Sequence, residues 1–286
     1  MFKLLPFFDF MTRLGRKHSF LKENIFGRYL KSFYRRIKMY VVLKNTTAFY
    51  AANANRVEAV ANMLADEQSK TVYLSMIKFR QSLCLKDFPL YNNKELPQYF
   101  IKEVKYKEGE EFFIDCGAFD GDTIDGFMKY CPEYKRIVAF EPNTELFAKL
   151  QEKYGSNPKI TLINAGVYDA DGEIRFAELK GGMSRIGDED YNTVNIPIKA
   201  IDGLNFHGSS FIKMDIEGAE FNALKGAEKT ILQNKPKLAI CIYHSNEDML
   251  RIAEYIHALV PEYKLYVRHH TSTPSASETV LYALMP

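Results

Sequence analysis

From residue 111 onward, short apolar runs alternate with stretches whose apolar residues recur every three or four positions. Short runs between turn residues predict buried strands, and the longer spacing predicts amphipathic helices. Seven runs fit strands: EFFIDCG, RIVAFEP, KITLINAGV, SFIKMDIEG, KLAICIYH, YKLYVRHH and ETVLYALM. The helical stretches are DTIDGFMKYC, TELFAKLQEKYG, AEFNALKGAEKTILQN and NEDMLRIAEYIHALV. This order predicts an α/β fold with a doubly wound, mostly parallel seven-stranded sheet, whose last two strands are candidates for an antiparallel pair.

Two further runs, GEIRFAEL and VNIPIKAI, interrupt this alternation and predict a hairpin or strand pair. The segment between them is rich in glycine and charge over residues 180–190. It is either a mobile lid over a bound substrate or a simple hairpin loop. Arg185 within it is a candidate for holding an acidic sugar or a phosphate.

The first hundred residues are predicted to be helical. Residues 25–45 have apolar residues at spacings of three and four, which predicts an amphipathic helix with a basic face. The apolar positions are Tyr29, Leu30, Phe33, Ile37 and Tyr40. Residues 53–86 predict further helices, and residues 87–100, with two prolines, predict a connector. We therefore expect a helical extension over 1–100 and an α/β domain over 101–286.

Charge is concentrated at the amino end. Residues 1–40 carry ten Lys or Arg and two acids, a local charge of +8, and the remainder of this chain of net charge +2 carries −6. The basic helix is predicted either to pack on the main domain or a second copy, or to lie on an anionic membrane surface. The acidic remainder argues against nucleic acid as a partner. The sequence leaves the oligomeric state open.

Cysteine usage and hydropathy bear on the compartment. The four cysteines (Cys84, Cys116, Cys131 and Cys241) form no CxxC pair and no metal-ligand spacing. We expect reduced thiols in a cytoplasmic protein, with peripheral contact at the inner membrane surface as a further option. No run of 18 apolar residues predicts a transmembrane helix. The opening MFKLLPFFDF is interrupted by Pro6 and Asp9, unlike a signal peptide.

The segment FIDCGAFDGDT follows the first predicted strand and combines glycines with carboxylates. Its glycine spacing is G-x-x-x-G, so the G-x-G-x-x-G pyrophosphate fingerprint is missing. A like charge at ~4 Å from a pyrophosphate costs on the order of 4 kcal/mol at an effective dielectric near 20. A net cationic ligand such as S-adenosylmethionine suits the loop better. The expected cofactor contacts here are Asp115, Gly117, Ala118, Asp120, Gly121 and Thr123.

The ends of the next two strands complete the predicted nucleoside site. Glu141 ends the second strand, twenty-four residues after Gly117, where an acid is well placed to bind two ribose hydroxyls. Asn143, Asn164 and Ala165 are predicted to contact the adenine. An acid at this position fits NAD as well as S-adenosylmethionine, and the loop charge separates the two.

With these motifs in place, the chain resembles the FkbM family of S-adenosylmethionine-dependent methyltransferases. FIDCGAFDGDT, VAFEPN and FIKMDIEGAEFNALKGA occur in this order over residues 112–227, and the D-x-E-G-x-E block is the most specific part. AICIYH, DML, RHH and ETVLYA are similar to a bacterial branch of the family. The similarity covers roughly residues 90–286, more weakly from 50. Cys116 and the Phe119-Asp120 pair depart from the commoner pattern, which puts the contacts to the methionine end in question.

The resemblance implies a Rossmann-like class I methyltransferase fold, S-adenosyl-L-methionine as cofactor, and O-methylation of a hydroxyl on a sugar, glycan or related metabolite. A hydroxyl must lose its proton as it attacks, which calls for a base or a metal ion. We predict His244 as the base, with Asp215 or Glu217 orienting it or the substrate, and Asp215 nearest the sulfonium. Tyr243 and His270 are lesser candidates. No ligand spacing is diagnostic of a metal, although Asp215, Glu217 and His244 could form a site.

Two other function classes stay open. An NAD-dependent oxidoreductase could use a similar sheet, and a non-catalytic binding protein could retain the motifs in a degenerate site. The loop carboxylates argue against the first. The presence of Gly117, Gly121, Glu141 and Asp215 argues against the second. The identity of the acceptor cannot be read from the sequence.

Overall fold

The computed structural model describes residues 25–89, 97–177, 185–186, 193–271 and 273–286. Its centre is a seven-stranded sheet with the strand order β10-β11-β9-β8-β1-β2-β3. The strands of this sheet are β1 (Phe112–Cys116), β2 (Arg136–Phe140), β3 (Ile160–Ile163), β8 (Phe211–Met214), β9 (Lys237–Cys241), β10 (Lys264–His269) and β11 (Thr279–Leu284). Only β11 runs antiparallel to its two neighbours, β9 and β10. The predicted seven-stranded, mostly parallel α/β sheet is thereby confirmed.

A second, four-stranded sheet has the order β4-β7-β5-β6. Its strands are β4 (Gly166–Val167), β5 (Gly172–Ala177), β6 (Arg185–Ile186) and β7 (Thr193–Lys199). β5 and β7 pair antiparallel with Ile174 opposite Ile196, which confirms the predicted strand pair. The segment 180–190, for which the sequence left a lid and a hairpin loop open, lies outside the described residues, apart from the backbone of β6.

Helices cover both faces of the large sheet. They are α1 (Ile25–Ala52), α2 (Ala54–Met63), α3 (Glu67–Ser82), α4 (Asp122–Tyr130), α5 (Thr144–Tyr154), α6 (Glu220–Lys225), α7 (Glu228–Asn234) and α8 (Asp248–Leu259). Alternation along β1 sends Phe112 and Ile114 into one apolar layer and Phe113 into the other, as the period of two requires. Buried apolar residues of α2, α3 and α8 share the first layer, and those of α4 and α5 the second.

The single helix expected over 219–234 is instead two short helices, and Gly226 explains the break. A Cβ on Gly226 would lie 2.0 Å from the carbonyl oxygen of Tyr168, so this close approach requires glycine. The Gly226 carbonyl accepts a hydrogen bond from the backbone N–H of Asp202 at 2.8 Å. The Asp202 carboxylate in turn accepts the backbone N–H groups of Lys229 and Thr230, which starts α7 as a capping residue does.

The amino-terminal helices contact the sheet at its β10 edge. The backbone N–H of Ala65 donates to Leu265 at 2.8 Å. Arg268, a buried residue of β10, pairs with Asp66 at 2.7 Å and Glu103 at 2.9 Å. The second and third residues of RHH are also structural in character, since the His269 ring hydrogen-bonds with Thr279 and that of His270 with Tyr282. The boundary at residue 100 stays a prediction.

Within the part of the chain that the structure describes, no helix combines the length and the apolar character needed to cross a bilayer.

Removal of the buried Arg268 guanidinium should destabilise the fold. Arg268→Met leaves two carboxylates facing a site without their cation, and breaking such a buried pair costs about 3 kcal/mol or more. The matched control is Lys235→Met, which removes the cation of an exposed pair with Glu262 and should have little effect on stability. Urea unfolding measures both. Equal losses in the two variants would show that the Arg268 cluster contributes no more than a surface pair.

Candidate active site

A cavity of about 530 Å³ lies at the carboxyl ends of the parallel strands, the edge at which open α/β sheets bind ligands. This volume is in the range of small-molecule sites. The loops after β1, β2, β8 and β9 contribute to its wall, together with residues 97–100 and the inner face of the small sheet. Seven predicted site residues line it: Gly117, Thr123, Glu141, Asn143, Ala165, Asp215 and Glu217.

The loop after β1 depends on its two glycines. Gly117 has φ +86°, and a Cβ there would lie 2.1 Å from the Asp215 carbonyl oxygen. Gly121 has φ +90°, and a Cβ there would come within 2.6 Å of the Tyr154 ring. Positive φ and absent space each favour glycine. The backbone N–H groups of Gly117 and Ala118 both donate to the Phe140 carbonyl, which fixes this loop against the end of β2.

Asp115 does not face the cavity. It is fully buried beneath the loop, 3.0 Å from the Lys213 ammonium on the adjacent strand β8. Burial raises its pKa to about 6, against the opposing effect of Lys213. Burial alone would lower the pKa of Lys213, but Asp115 and Asp215 outweigh it, and the net shift is upward. The expectation that Asp115 meets a cationic ligand is therefore corrected, because its charge is already matched by Lys213.

The remaining loop residues divide between cavity and surface. Asp122 lines the cavity, and its carboxylate accepts the backbone N–H of Thr123 at 2.7 Å. Asp120 is exposed and, like Ala118 and Gly121, is not among the described residues that line the cavity.

Glu141 connects two loops across the cavity. One oxygen accepts the backbone N–H of Phe119 at 2.9 Å and the other that of Asn143 at 2.8 Å. Burial raises the pKa of this carboxyl from 4.5 to about 7, although both hydrogen bonds favour the charged form. Each carboxylate oxygen retains acceptor capacity, so two hydroxyl groups of a ligand could still donate to Glu141.

The side chains of the two predicted asparagines support this loop. Asn143 caps α5 by accepting the backbone N–H groups of Glu145 and Leu146. The side-chain amide of Asn164 donates to the Glu141 carbonyl at 2.8 Å, from outside the described lining of the cavity. Beside them the wall is apolar and suits a flat aromatic ring; it is formed by Phe140, Leu146, Ala165, Val167, Ile174, Ile196 and Ile198.

Asp215 lies at the centre of a hydrogen-bond network. The hydroxyl of Tyr99 donates to one of its oxygens at 2.8 Å, and the hydroxyl of Tyr243 donates to the other at 3.0 Å. The Nε2 atom of His244 is 3.3 Å from the same oxygen that Tyr243 contacts. These contacts hold the Asp215 carboxylate at the cavity wall.

His244 lies behind Asp215, and its side chain is only 7% exposed. Its Nδ1 atom is 3.4 Å from Glu220, so the ring lies between two carboxylates. Burial raises the pKa of Glu220 to about 8. Glu217, by contrast, is exposed at the cavity mouth with φ +57°. The described residues lining the cavity include Tyr243 and Glu217 but not His244.

A metal-ligand set is present, but it differs from the one the sequence suggested. Ligand atoms of Asp215, Glu220 and His244 lie within 4.8 Å of one another. Glu220 thus takes the place expected for Glu217. Both oxygens of Asp215 already accept hydrogen bonds. Orientation of Asp215 therefore explains this cluster at least as well as metal binding does.

Tyr99 and Glu278 are polar cavity residues that the sequence did not indicate. Tyr99 belongs to a segment that the sequence indicated only as a connector, and Glu278 precedes the last strand. Glu278 accepts a hydrogen bond from Gln98 at 2.7 Å. Neither residue has a local sequence signal, because their positions depend on contacts between segments about 180 residues apart.

Comparison with known proteins agrees with this geometry. Residues 115–264 match the model of the methyltransferase FkbM domain. The crystal structure of the FkbM methyltransferase from Methylobacillus flagellatus KT superposes with a TM-score of 0.70 at 28% identity, over 83% of this chain and 60% of that one. This chain thus spans less than two thirds of that relative. No curated protein matches.

More distant solved structures match with lower TM-scores. An rRNA methylase from Streptococcus thermophilus has a TM-score of 0.41 at 15% identity over 62% of this chain and 87% of its own. Fibrillarin from Aeropyrum pernix, solved with S-adenosyl-L-methionine, has a TM-score of 0.39 at 12% identity over 64% and 70%. The family match itself covers more than half of the chain. With its Rossmann-like class I sheet, this protein belongs to the FkbM methyltransferase family.

Proposed function

We propose that this methyltransferase uses S-adenosyl-L-methionine to methylate a hydroxyl of a sugar, a glycan or a related metabolite. The observation that carries the proposal is the cavity that has Glu141 on one wall and the braced Asp215 on another. Glu141 can accept hydrogen bonds from ribose hydroxyl groups, and Asp215 can accept the proton that the hydroxyl group of the substrate loses.

The charge of the cavity supports a cationic methyl donor. Five carboxylates line it: Asp122, Glu141, Asp215, Glu217 and Glu278. Lys213 is the one cation among the described lining residues, and its charge is matched by Asp115 below. A sulfonium compound is attracted to such a cavity, whereas a pyrophosphate is repelled. The sequence predicted that carboxylates of the first loop alone would attract the cationic ligand. In the proposed site, carboxylates of several loops do so.

The residues present fit an adenosyl group. Glu141 would accept the ribose hydroxyls, and the apolar wall formed by Leu146, Val167 and Ile198 would contact the adenine. Gly117 would allow the backbone to approach the methionine part. The sequence predicted direct cofactor contacts for Asp120, Gly121 and Asn164. These residues would instead support the surrounding loops, because they are not among the described residues that line the cavity.

When bound, the donor supplies a methyl group on a sulfonium, a good substrate for in-line displacement once the acceptor oxygen is aligned. Asp215 is placed to accept the hydroxyl proton as the new O–CH₃ bond forms. Tyr99 and Tyr243 hold its oxygens. His244, the base expected from the sequence, would act through Asp215, because its ring touches Asp215 rather than the cavity.

Two alternatives make different predictions. An NAD-dependent oxidoreductase needs a pyrophosphate site, which the carboxylates disfavour. A non-catalytic binding protein has no need of a carboxylate braced by two tyrosines. Both are separated from the proposal by ligand binding and turnover.

Isothermal titration should detect binding of S-adenosyl-L-methionine and no comparable binding of NADH. Glu141→Gln should weaken donor binding at least tenfold, because one oxygen and the negative charge are lost. The matched control, Glu145→Gln, alters an exposed acid on the first turn of α5 and should change affinity less than twofold. Tight NADH binding would favour the oxidoreductase instead.

Donor affinity should rise with pH near neutrality. Below its pKa of about 7 the Glu141 carboxyl is protonated and accepts fewer hydrogen bonds from the ribose hydroxyl groups. Affinity for 5′-methylthioadenosine, which lacks the titrating amino-acid part, should therefore increase about tenfold from pH 6 to 8. Glu141→Gln should show no such rise. The folding stability of the unliganded protein depends on pH in the opposite sense. The folded state keeps the Glu141 proton up to a higher pH than the unfolded state does, so the contribution of Glu141 to stability decreases as the pH rises from 4.5 to 7.

Asp215→Asn should abolish transfer while retaining the donor. We expect turnover of a sugar acceptor to fall by about 10²- to 10⁴-fold, the range for loss of a general base, with less than a threefold change in donor affinity. The assay is mass spectrometry of an acceptor panel incubated with methyl-deuterated donor. His244→Gln should lower turnover less than Asp215→Asn. A larger loss for His244→Gln would indicate that His244, and not Asp215, is the base.

A further inference from the structure

Helix α1 packs on the domain near its carboxyl end. It spans 28 residues, about 42 Å at 1.5 Å per residue. Near its carboxyl end, Thr46 and Tyr50 are buried. Towards the amino end, the described side chains from Phe33 to Asn45 are exposed or half-buried, and none of them is fully buried.

An apolar stripe runs along the amino-terminal half of α1. Phe33, Ile37, Tyr40 and Val41 follow the i, i+4, i+7, i+8 spacing of one helix face. Phe33 is 46% exposed and Tyr40 is 56% exposed. At 3.6 residues per turn this face points away from the side on which Tyr50 packs. The stripe is therefore not a continuation of the contact with the domain.

The rest of the helix carries charge of one sign. Between Ile25 and Ala52 there are six Lys or Arg and no Asp or Glu. Arg35 and Lys38 are exposed and lie opposite the apolar stripe. Met39 and Val42 are exposed on this side as well. A helix that combines an apolar stripe with charges that are all basic has the character of helices that lie in the membrane interface.

We infer that α1 binds the surface of an anionic lipid bilayer. Phe33, Ile37 and Tyr40 would enter the boundary between headgroups and acyl chains, and the basic side chains would contact anionic headgroups. Charge complementarity favours this occupant: a second copy would bring another +6 helix against the first, and a nucleic acid would leave the apolar stripe in water. The helix lies on the bilayer and does not cross it, consistent with its basic content.

The helix is attached close to the cavity. The side chain of Asn246 donates to Thr46 at 3.2 Å and accepts from Arg80 at 3.0 Å. Arg80 in turn donates to the Tyr243 carbonyl at 2.9 Å. Docking of α1 would therefore hold the lipid surface at the edge of the sheet where Tyr243 lines the cavity.

Vesicle flotation with the full chain tests the inference. We expect binding to vesicles of phosphatidylglycerol and phosphatidylcholine at 50 mM salt, and at least tenfold weaker binding to pure phosphatidylcholine. Phe33→Ala with Tyr40→Ala should weaken binding more than tenfold. Arg35→Gln with Lys38→Gln should weaken it about 20-fold, since each basic residue near an anionic surface contributes on the order of 1 kcal/mol.

Matched controls alter equally exposed positions elsewhere. Leu85→Ala with Leu232→Ala, and Lys135→Gln with Lys149→Gln, should change vesicle binding less than twofold. Donor affinity and thermal unfolding of all variants report whether the fold and the cofactor site remain intact, independently of the lipid result.

Three outcomes would overturn the inference. The first is no vesicle binding at low salt, and the second is binding that the α1 variants leave unchanged. The third is a different partner: a dimer in sedimentation that the Phe33 and Tyr40 changes dissociate, or a 20-base-pair RNA duplex that competes as strongly as anionic vesicles.

Discussion

The buried ion pair between Asp115 and Lys213 fixes the geometry of the cavity wall formed by the loop after β1. The two residues are register partners on the neighbouring strands β1 and β8, and both are buried. Their desolvation is costly unless further hydrogen bonds complete the pair. Lys213 provides one by donating to the Gly117 carbonyl at 2.7 Å. The strand pair, the glycine turn and the approach of Asp215 to Gly117 are therefore one coupled arrangement.

This pair also determines the charge that a ligand meets. Because Lys213 is matched from below by Asp115, its presence in the wall does not cancel the carboxylates that surround it. Glu141 adds a second coupling, since its two oxygens connect the loop after β1 to the start of α5. A ligand that donates to Glu141 thus stabilises both loops at once. Binding and loop order are expected to be linked through this carboxylate.

Local pattern was enough to predict the sheet and most of its elements. Short apolar runs and helical spacing are properties of neighbouring residues, and the structure confirms the seven strands of the large sheet. The run at 159–167, predicted as one strand, is divided between β3 and β4. The depth of Asp115 could not be read this way, because it depends on the register between β1 and a strand almost a hundred residues later. The break at Gly226 depends likewise on the Tyr168 carbonyl. Tyr99 reaches Asp215 from a segment that has no periodicity of its own.

Tyr99 and Glu278 both line the cavity, and both lie outside the stretch of chain that matches the family model, one on each side of it. Glu141 and Asp215 lie within that stretch. The two flanks thus supply parts of the cavity wall that the matching stretch does not contain. Under the proposed function, a change at Glu278 would alter the wall that an acceptor meets, whereas a change at Tyr99 would also disturb the orientation of Asp215.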